Sequence, residues 1–576
     1  MMVRHLFTAA LLAGATTALT GKAAPALAAD ADIIWFGGTI LTVADKTPRA
    51  EAVAVKNGRI VAVGKKAAVM RAEQGKATRL VDLAGRTMVP GFVDGHGHIS
   101  GVAIQAVSAN LLPPPDGPAT SIADIQRIMR EFIATAPAAR AGLAIGFDYD
   151  DSQLAERRAP TRTELDAVST EIPIMIIHQS GHLGAFNSLA LERAGITAAS
   201  PDPSGGVIQR EADGKTPNGV LEESALGLAA YKLFPKSTPA QGLATLAAAQ
   251  KIYMANGYTT VQDGKTDAQS LAMLTGAAKA GILKIDVVSY PDLMTLHDKP
   301  VLHGPLVSNS YTDHFRIGGV KLTFDGSPQG KTAWFTQPYF QVPAGQKPDY
   351  AGYPAFPKPG EAQGWVDMAY RNNWQLLIHA NGDAAIDELL RTVGTAQKQF
   401  GGSDRRTVMI HGQYLRRDQI APLKALGVFP ALFPMHTFYW GDWHRESVAG
   451  PVRAEFISPT RAVRDAGMML SIHHDAPVTF PNAMRVFDSA VNRTTRSGHV
   501  LGPDQRLTPM EALQAMTIWP AHQHFEEATK GSIEPGKLAD LVILAKNPLT
   551  VPRATIKDIK VLETIKAGET VYSAAQ

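Results

Sequence analysis

The stretch Thr87-Met88-Val89-Pro90-Gly91-Phe92-Val93-Asp94-Gly95-His96-Gly97-His98 decides how the rest of the chain is read. It begins as a short buried strand, and successive side chains on a strand face opposite sides. His96 and His98 therefore fall on one side, about 7 Å apart by strand rise. Two neutral imidazoles so placed can close on one divalent cation, because imidazole nitrogen ligates zinc and its neighbours well. An H-x-H pair also arises by chance at polar strand ends. The remaining chain separates the two readings, according to whether it carries partners for the same site.

Seven more strand-like stretches follow: 259–263, 285–289, 320–324, 375–379, 407–411, 428–432 and 469–473. Helical patterns lie between them, so the middle of the chain reads as an α/β fold, a (β/α)8 TIM-like barrel of parallel strands. The gap after the H-x-H strand is too long for one crossover and predicts an inserted subdomain over about 100–250. That insert holds a helix from Ser121 to Ile133 with Asp124 near its start, and the apolar run Ile172–Ile177 leading into His178-Gln179-Ser180-Gly181-His182. The two chain ends are β-rich. Strands flank Gly37-Gly38 and Asn57-Gly58 near the N-terminus, and 541–544, 560–565 and 571–572 read as strands near the C-terminus. Residues 29–86 and 526–576 thus predict a small β-sandwich domain built from both termini, around a barrel spanning 87–525.

Polar residues of ligand type collect at the ends of the predicted strands. In Val320-Lys321-Leu322-Thr323-Phe324-Asp325, the apolar side chains share one face and Lys321, Thr323 and Asp325 the other. His379, His411 and Asp475 each follow an apolar strand. Taken singly, a strand-end histidine is more often a hydrogen-bonded structural residue, and Asp475 before Ala-Pro a turn former. Taken together they form a ring at the strand ends where such barrels place their active sites. An ammonium has no lone pair and cannot ligate a cation. A neutral lysine carboxylated by carbon dioxide becomes a carbamate, whose two oxygens can bridge two metals.

Composition bounds the rest. The net charge of +3 over 576 residues, without a long basic run, gives no indication of nucleic-acid binding. Met1-Met2-Val3-Arg4-His5, an apolar run from Leu6 to about Leu19, and Ala26-Leu27-Ala28 form the pattern of an export signal over 1–28. An exported, periplasmic chain without a stable membrane span is expected. The chain has no cysteine, so disulfides and thiolate ligands are excluded. Self-association into a homo-oligomer is left open.

The motifs now assembled resemble the amidohydrolase superfamily, in the branch similar to N-substituted formamide deformylase. The resemblance rests on residues 90–98, Val320-Lys321-Leu322-Thr323-Phe324-Asp325-Gly326-Ser327, His379-Ala380-Asn381-Gly382-Asp383, His411-Gly412-Gln413, Asp475-Ala476-Pro477-Val478 and residues 531–541. His436-Thr437-Phe438-Tyr439-Trp440-Gly441-Asp442 and Gly181-His182-Leu183-Gly184-Ala185-Phe186-Asn187 point to the branch. It implies one or two divalent metals, zinc by preference. His96 and His98 would hold one, His379 and His411 the other, with carboxylated Lys321 bridging and Asp475 contacting metal and moving protons. The implied reaction is hydrolysis of a small-molecule amide at its C–N bond by activated water. A carbamate, ester or cyclic amide would suit the same chemistry, and a metal-binding protein without turnover is the rival class. His182 is expected to help hold the oxyanion, and Phe438, Tyr439 and Trp440 to wall the substrate pocket. Glycine stands on both sides of His96, where such enzymes often carry Ser or Ala and then Thr. A looser loop and one-metal occupancy are the corresponding expectation.

Overall fold

The computed structural model describes residues 30–136, 142–234, 238–343, 345–402 and 404–575; the expected export segment, 1–28, lies outside them. Both chain ends join in one eight-stranded sheet. Its order is Glu569–Ser573, Val561–Lys566, Leu541–Leu544, Thr87–Pro90, Ile33–Leu41, Arg49–Lys56 and Arg59–Gly64, with Arg79–Asp82 also paired to Ile33–Leu41. Asn57 and Gly58 take φ of 48° and 73° and form the hairpin turn their sequence predicts. Gly37-Gly38 makes no turn. Ile33–Leu41 runs through it as one strand whose register shifts between Phe36 and Ile40. Side chains there would collide with Asp82 and the Arg86 carbonyl, so these glycines serve close approach.

Thr87–Pro90 pairs within this terminal sheet, with Leu541–Leu544 and Ile33–Leu41. The chain leaves the sheet at Gly91, where a Cβ would strike Thr259. It enters the parallel array only at Phe92–Val93. That array consists of Phe92–Val93, Tyr258–Thr266, Asp286–Pro291 and Phe315–Ile317 in one sheet. Gly319–Thr323, Gln375–Ala380, Val408–His411, Phe429–Leu432 and Ser471–Ile472 form a second. Phe315–Ile317 is a strand beyond those the sequence predicts, and Gly318 separates it from the predicted fourth strand, its missing side chain making room for Val288 and Tyr290. At the far edge the chain returns to the start: Asp475 N–H donates to the His96 carbonyl at 3.1 Å, and His98 N–H to the Ala476 carbonyl at 2.8 Å. The strands are buried on both faces, as parallel strands between helices must be. The helix Asp383–Phe400 shows why its sequence packs there. Ile386, Leu389, Val393 and Ala396 recur at helical spacing, and all are buried against the strands.

Between the first and second parallel strands lies a six-stranded mixed sheet. Its order is Gly206–Arg210, Pro217–Glu223, Leu183–Phe186, Ile174–His178, Ala144–Tyr149 and Ala109–Asn110. Its helix Ile122–Thr135 starts where the sequence indicates, with Ser121 Oγ accepting from Asp124 N–H at 3.1 Å.

Candidate metal centre and active site

After Val93 the chain is held by Asp94, whose Oδ1 accepts the His96 N–H at 3.0 Å. Burial pushes the Asp94 carboxyl up to about 8, against two backbone hydrogen bonds. His96 Nδ1 lies 2.5 Å from Gln262 Oε1. An amide oxygen only accepts, so Nδ1 carries the proton and Nε2 keeps its lone pair for the cavity. That Nε2 is 3.4 Å from Asp475 Oδ1, and His98 Nε2 is 3.2 Å from the same oxygen. Lys321 Nζ sits 3.1 Å from His96 Nε2. His411 Nε2 is 3.8 Å from Asp475 Oδ2, and its ring centroid is 4.6 Å from that of His379. His182 extends the row, 5.2 Å from His379 between ring centroids. The structure thus brings together His96, His98, Lys321, His379, His411, Asp475 and His182.

Burial, helped by neighbouring positive groups, holds His96, His379 and His411 well below the ordinary imidazole range. They are neutral, the form that ligates. Burial also lowers Lys321 to about 7, with the Asp475 charge opposing it. Among the described residues, the buried atoms without a hydrogen-bond partner include His379 Nδ1, His411 Nδ1 and Asp475 Oδ1. Leaving buried lone pairs unmatched is costly, and a cation is the partner that would satisfy a nitrogen and oxygen set. One ligating atom each from His96, His98 and Asp475 lies within 4.8 Å of the others. The donor set therefore fits a divalent cation of the zinc type. Strain marks the same place: His411 and Asp475 adopt φ of 75° and 56°. Non-glycine residues persist there at a cost of about 1–3 kcal/mol each, only where surrounding structure holds them.

Three sequence expectations need revision or addition. Gly95 and Gly97 do not loosen the loop. A Cβ on Gly95 would lie 2.6 Å from Ser471 Oγ, and one on Gly97 would lie 2.5 Å from Asp94 Oδ2 and 2.9 Å from His474 Cε1. The glycines admit side chains of the last strand and its loop in a tight fit. The aromatic trio does not wall the cavity either. Trp440 donates to Asp150 Oδ2 at 2.8 Å and packs behind His436, 4.5 Å between centroids. Tyr439 bonds Asp116, and Phe438 lies under Arg485 and Arg496. One helix face reaches the cavity, and in His436–Trp443 that face presents His436; Phe433 and Val478 complete the apolar wall. Asp325, absent from the expected site, accepts from the backbones of Asn381, Gly382 and Trp334 and lies 3.3 Å from His379 Nδ1. Its shared parity with Lys321 was the available signal.

Neutral imidazoles, a buried lysine and a carboxylate at the C-terminal ends of parallel strands define the class: a metal-dependent hydrolase. The chain belongs to the amidohydrolase family, whose profile matches residues 79–572. It is 28% identical over 556 residues to N-substituted formamide deformylase of Arthrobacter pascens, covering 94% of this chain and 98% of that protein. It is 25% identical to the putative amidohydrolase YtcJ of Bacillus subtilis, over 94% and 99% of the two chains. An uncharacterized metal-dependent hydrolase from Pyrococcus horikoshii shares the fold, with a TM-score of 0.71, 23% identity, and coverage of 91% of this chain and 99% of that one.

Proposed function

We propose that the protein hydrolyses the C–N bond of a small N-acyl or N-substituted amide. The observation that carries this reading is the convergence of His96, His98 and Asp475 on one point, with unpartnered His379 and His411 nitrogens alongside. His96 and His98 would hold one divalent metal, zinc by preference, and His379 and His411 a second. Lys321, beside His96 Nε2, would be carboxylated when both are present. A bound divalent cation polarises the carbonyl and brings the pKa of water toward neutrality. Asp475 takes the proton from the attacking water and returns it to the departing nitrogen, as base and then acid. His182 contacts the carbonyl oxygen as negative charge develops. Phe433, His436 and Val478 exclude water around the acyl group. The similarity to N-substituted formamide deformylase favours a formyl or other small acyl group.

In the same reading, the parallel strands close into one eight-stranded barrel, with the subdomain over about 100–250 inserted after its first strand. The terminal sheet folds over as a small sandwich, and the mature chain is exported to the periplasm from a start near Ala29. The function is tested with a panel of N-acyl amides, carbamates and esters, with and without chelator. Chelator-sensitive release of amine and carboxylate from amides supports the reading. Turnover confined to esters, or unaffected by chelator, contradicts it.

A further inference from the structure

The inserted subdomain reaches the cavity through one residue pair. His182 stands just before the strand Leu183–Phe186, and Glu223 ends the neighbouring antiparallel strand Pro217–Glu223. Glu223 N–H donates to the His182 carbonyl at 2.8 Å, and His182 Nδ1 lies 2.7 Å from Glu223 Oε2. Backbone and side chain thus lock the same two residues twice. Glu223 adopts φ of 51° to do so. Its second oxygen, Oε1, occupies the space a side chain on Gly326 would need. Gly326 lies in the loop after the strand bearing Lys321, and Asn381 Nδ2 donates to its carbonyl at 3.0 Å. The carboxylate is therefore wedged between the insert and the barrel.

A carboxylate oxygen only accepts, so it fixes the proton of His182 on Nδ1. Nε2 makes no hydrogen bond among the described residues and is the atom left for the cavity, which His182 lines beside His379 and Asn381. We propose that Glu223 is a positioning residue that sets the tautomer and aim of His182, so that the inserted subdomain completes the active site. The inference rests on the reading of His182 as a group that meets substrate. Carboxylates behind a working imidazole elsewhere typically hold ring orientation in this way.

Two measurements on the full-length metal-loaded enzyme test it. In kinetics on whichever substrate of the panel is turned over, Glu223→Ala lowers kcat about 10- to 100-fold with KM changed less than about threefold. Glu223→Gln, whose amide oxygen still accepts from Nδ1, recovers most of that loss. In a His182→Ala background, Glu223→Ala costs nothing further, because the residue acts through His182. Multiplying losses in the double variant, or unchanged kcat in Glu223→Ala at wild-type metal content, overturns the proposal. The second measurement needs no substrate. Nitrogen-15 spectra of histidine-labelled protein show the His182 proton on Nδ1, and Glu223→Ala loses that fixed state. A wild-type His182 protonated on Nε2 overturns the proposal whatever the substrate proves to be.

Discussion

The two ends of the parallel strands bury polar groups in opposite ways. At the C-terminal ends, neutral imidazoles and a carboxylate leave lone pairs without protons to meet them. At the other end, charges are matched. Lys530 Nζ lies 2.5 Å from Asp286 Oδ2 and 2.8 Å from Glu526 Oε2. Lys566 Nζ lies 2.5 Å from Asp286 Oδ2 and 2.8 Å from Asp540 Oδ2, and Arg316 Nη2 lies 2.7 Å from Glu526 Oε1. Lys530, Lys566 and Arg316 balance Asp286, Glu526 and Asp540 within a buried network. Asp286 opens its strand, which puts this network at the N-terminal ends, against the terminal sheet that supplies Asp540 and Lys566. Paired charges of this kind serve stability; the imidazole and carboxylate set fits a divalent cation. Burial raises the carboxyls at both ends, and the outcome depends on what lies nearby. Burial carries Asp325 up to about 7 despite three backbone donors. At Glu526 the charges of Lys530 and Arg316 outweigh burial and hold the carboxyl at about 2.

The contrast breaks first at the metal end. His379→Ala or His411→Ala removes metal and activity together while leaving the fold in place, read by metal analysis, turnover and circular dichroism. Retention of metal and rate would place the site elsewhere. Lys530→Met tests the opposite end. It leaves Asp286 and Glu526 undercompensated and costs about 3–5 kcal/mol in denaturant unfolding, with metal content unchanged in the folded protein. The acid response has a definite sign. Glu526 is depressed from 4.5 to about 2, so its contribution is fully present above about pH 4.5 and is lost as pH falls toward 2. Lys530→Met should flatten that acid loss relative to wild type. Ser121→Ala sets the smallest scale. Loss of one cap on the helix Ile122–Thr135 costs about 1 kcal/mol and leaves both ends of the parallel strands untouched.

What was legible in the sequence follows from range. Strand periodicity and the parity of Lys321 are local, and the structure has strands at Gly319–Thr323, Gln375–Ala380 and Val408–His411, close to where the sequence places them. The grouping of His96, His98, His379, His411 and Asp475 was legible because each stands at or just past a strand end, and parallel strands gather their ends; Lys321, inside Gly319–Thr323, was legible by parity. Gly37-Gly38 reads locally as a break between two strands, and only the neighbouring Asp82 and Arg86 show that the pair serves close approach within one strand. The glycines around His96 posed the same ambiguity, resolved by Ser471 and His474, more than 370 residues away. Phe438, Tyr439 and Trp440 have the composition of a pocket wall, but helix phase turned them toward Asp116, Asp150 and two arginines. Glu223 gave no local signal, since its partner His182 is 41 residues away and only sheet pairing joins them.

The central claim is that the C-terminal ends of the parallel strands hold a catalytic divalent metal. Anomalous diffraction at the zinc edge, from crystals grown with zinc and bicarbonate, tests it most directly. The account predicts zinc bound by His96, His98 and Asp475, and, with a second zinc on His379 and His411, carbamate density on Lys321. Crystals in which these residues stay metal-free while the enzyme turns over its substrate would contradict it.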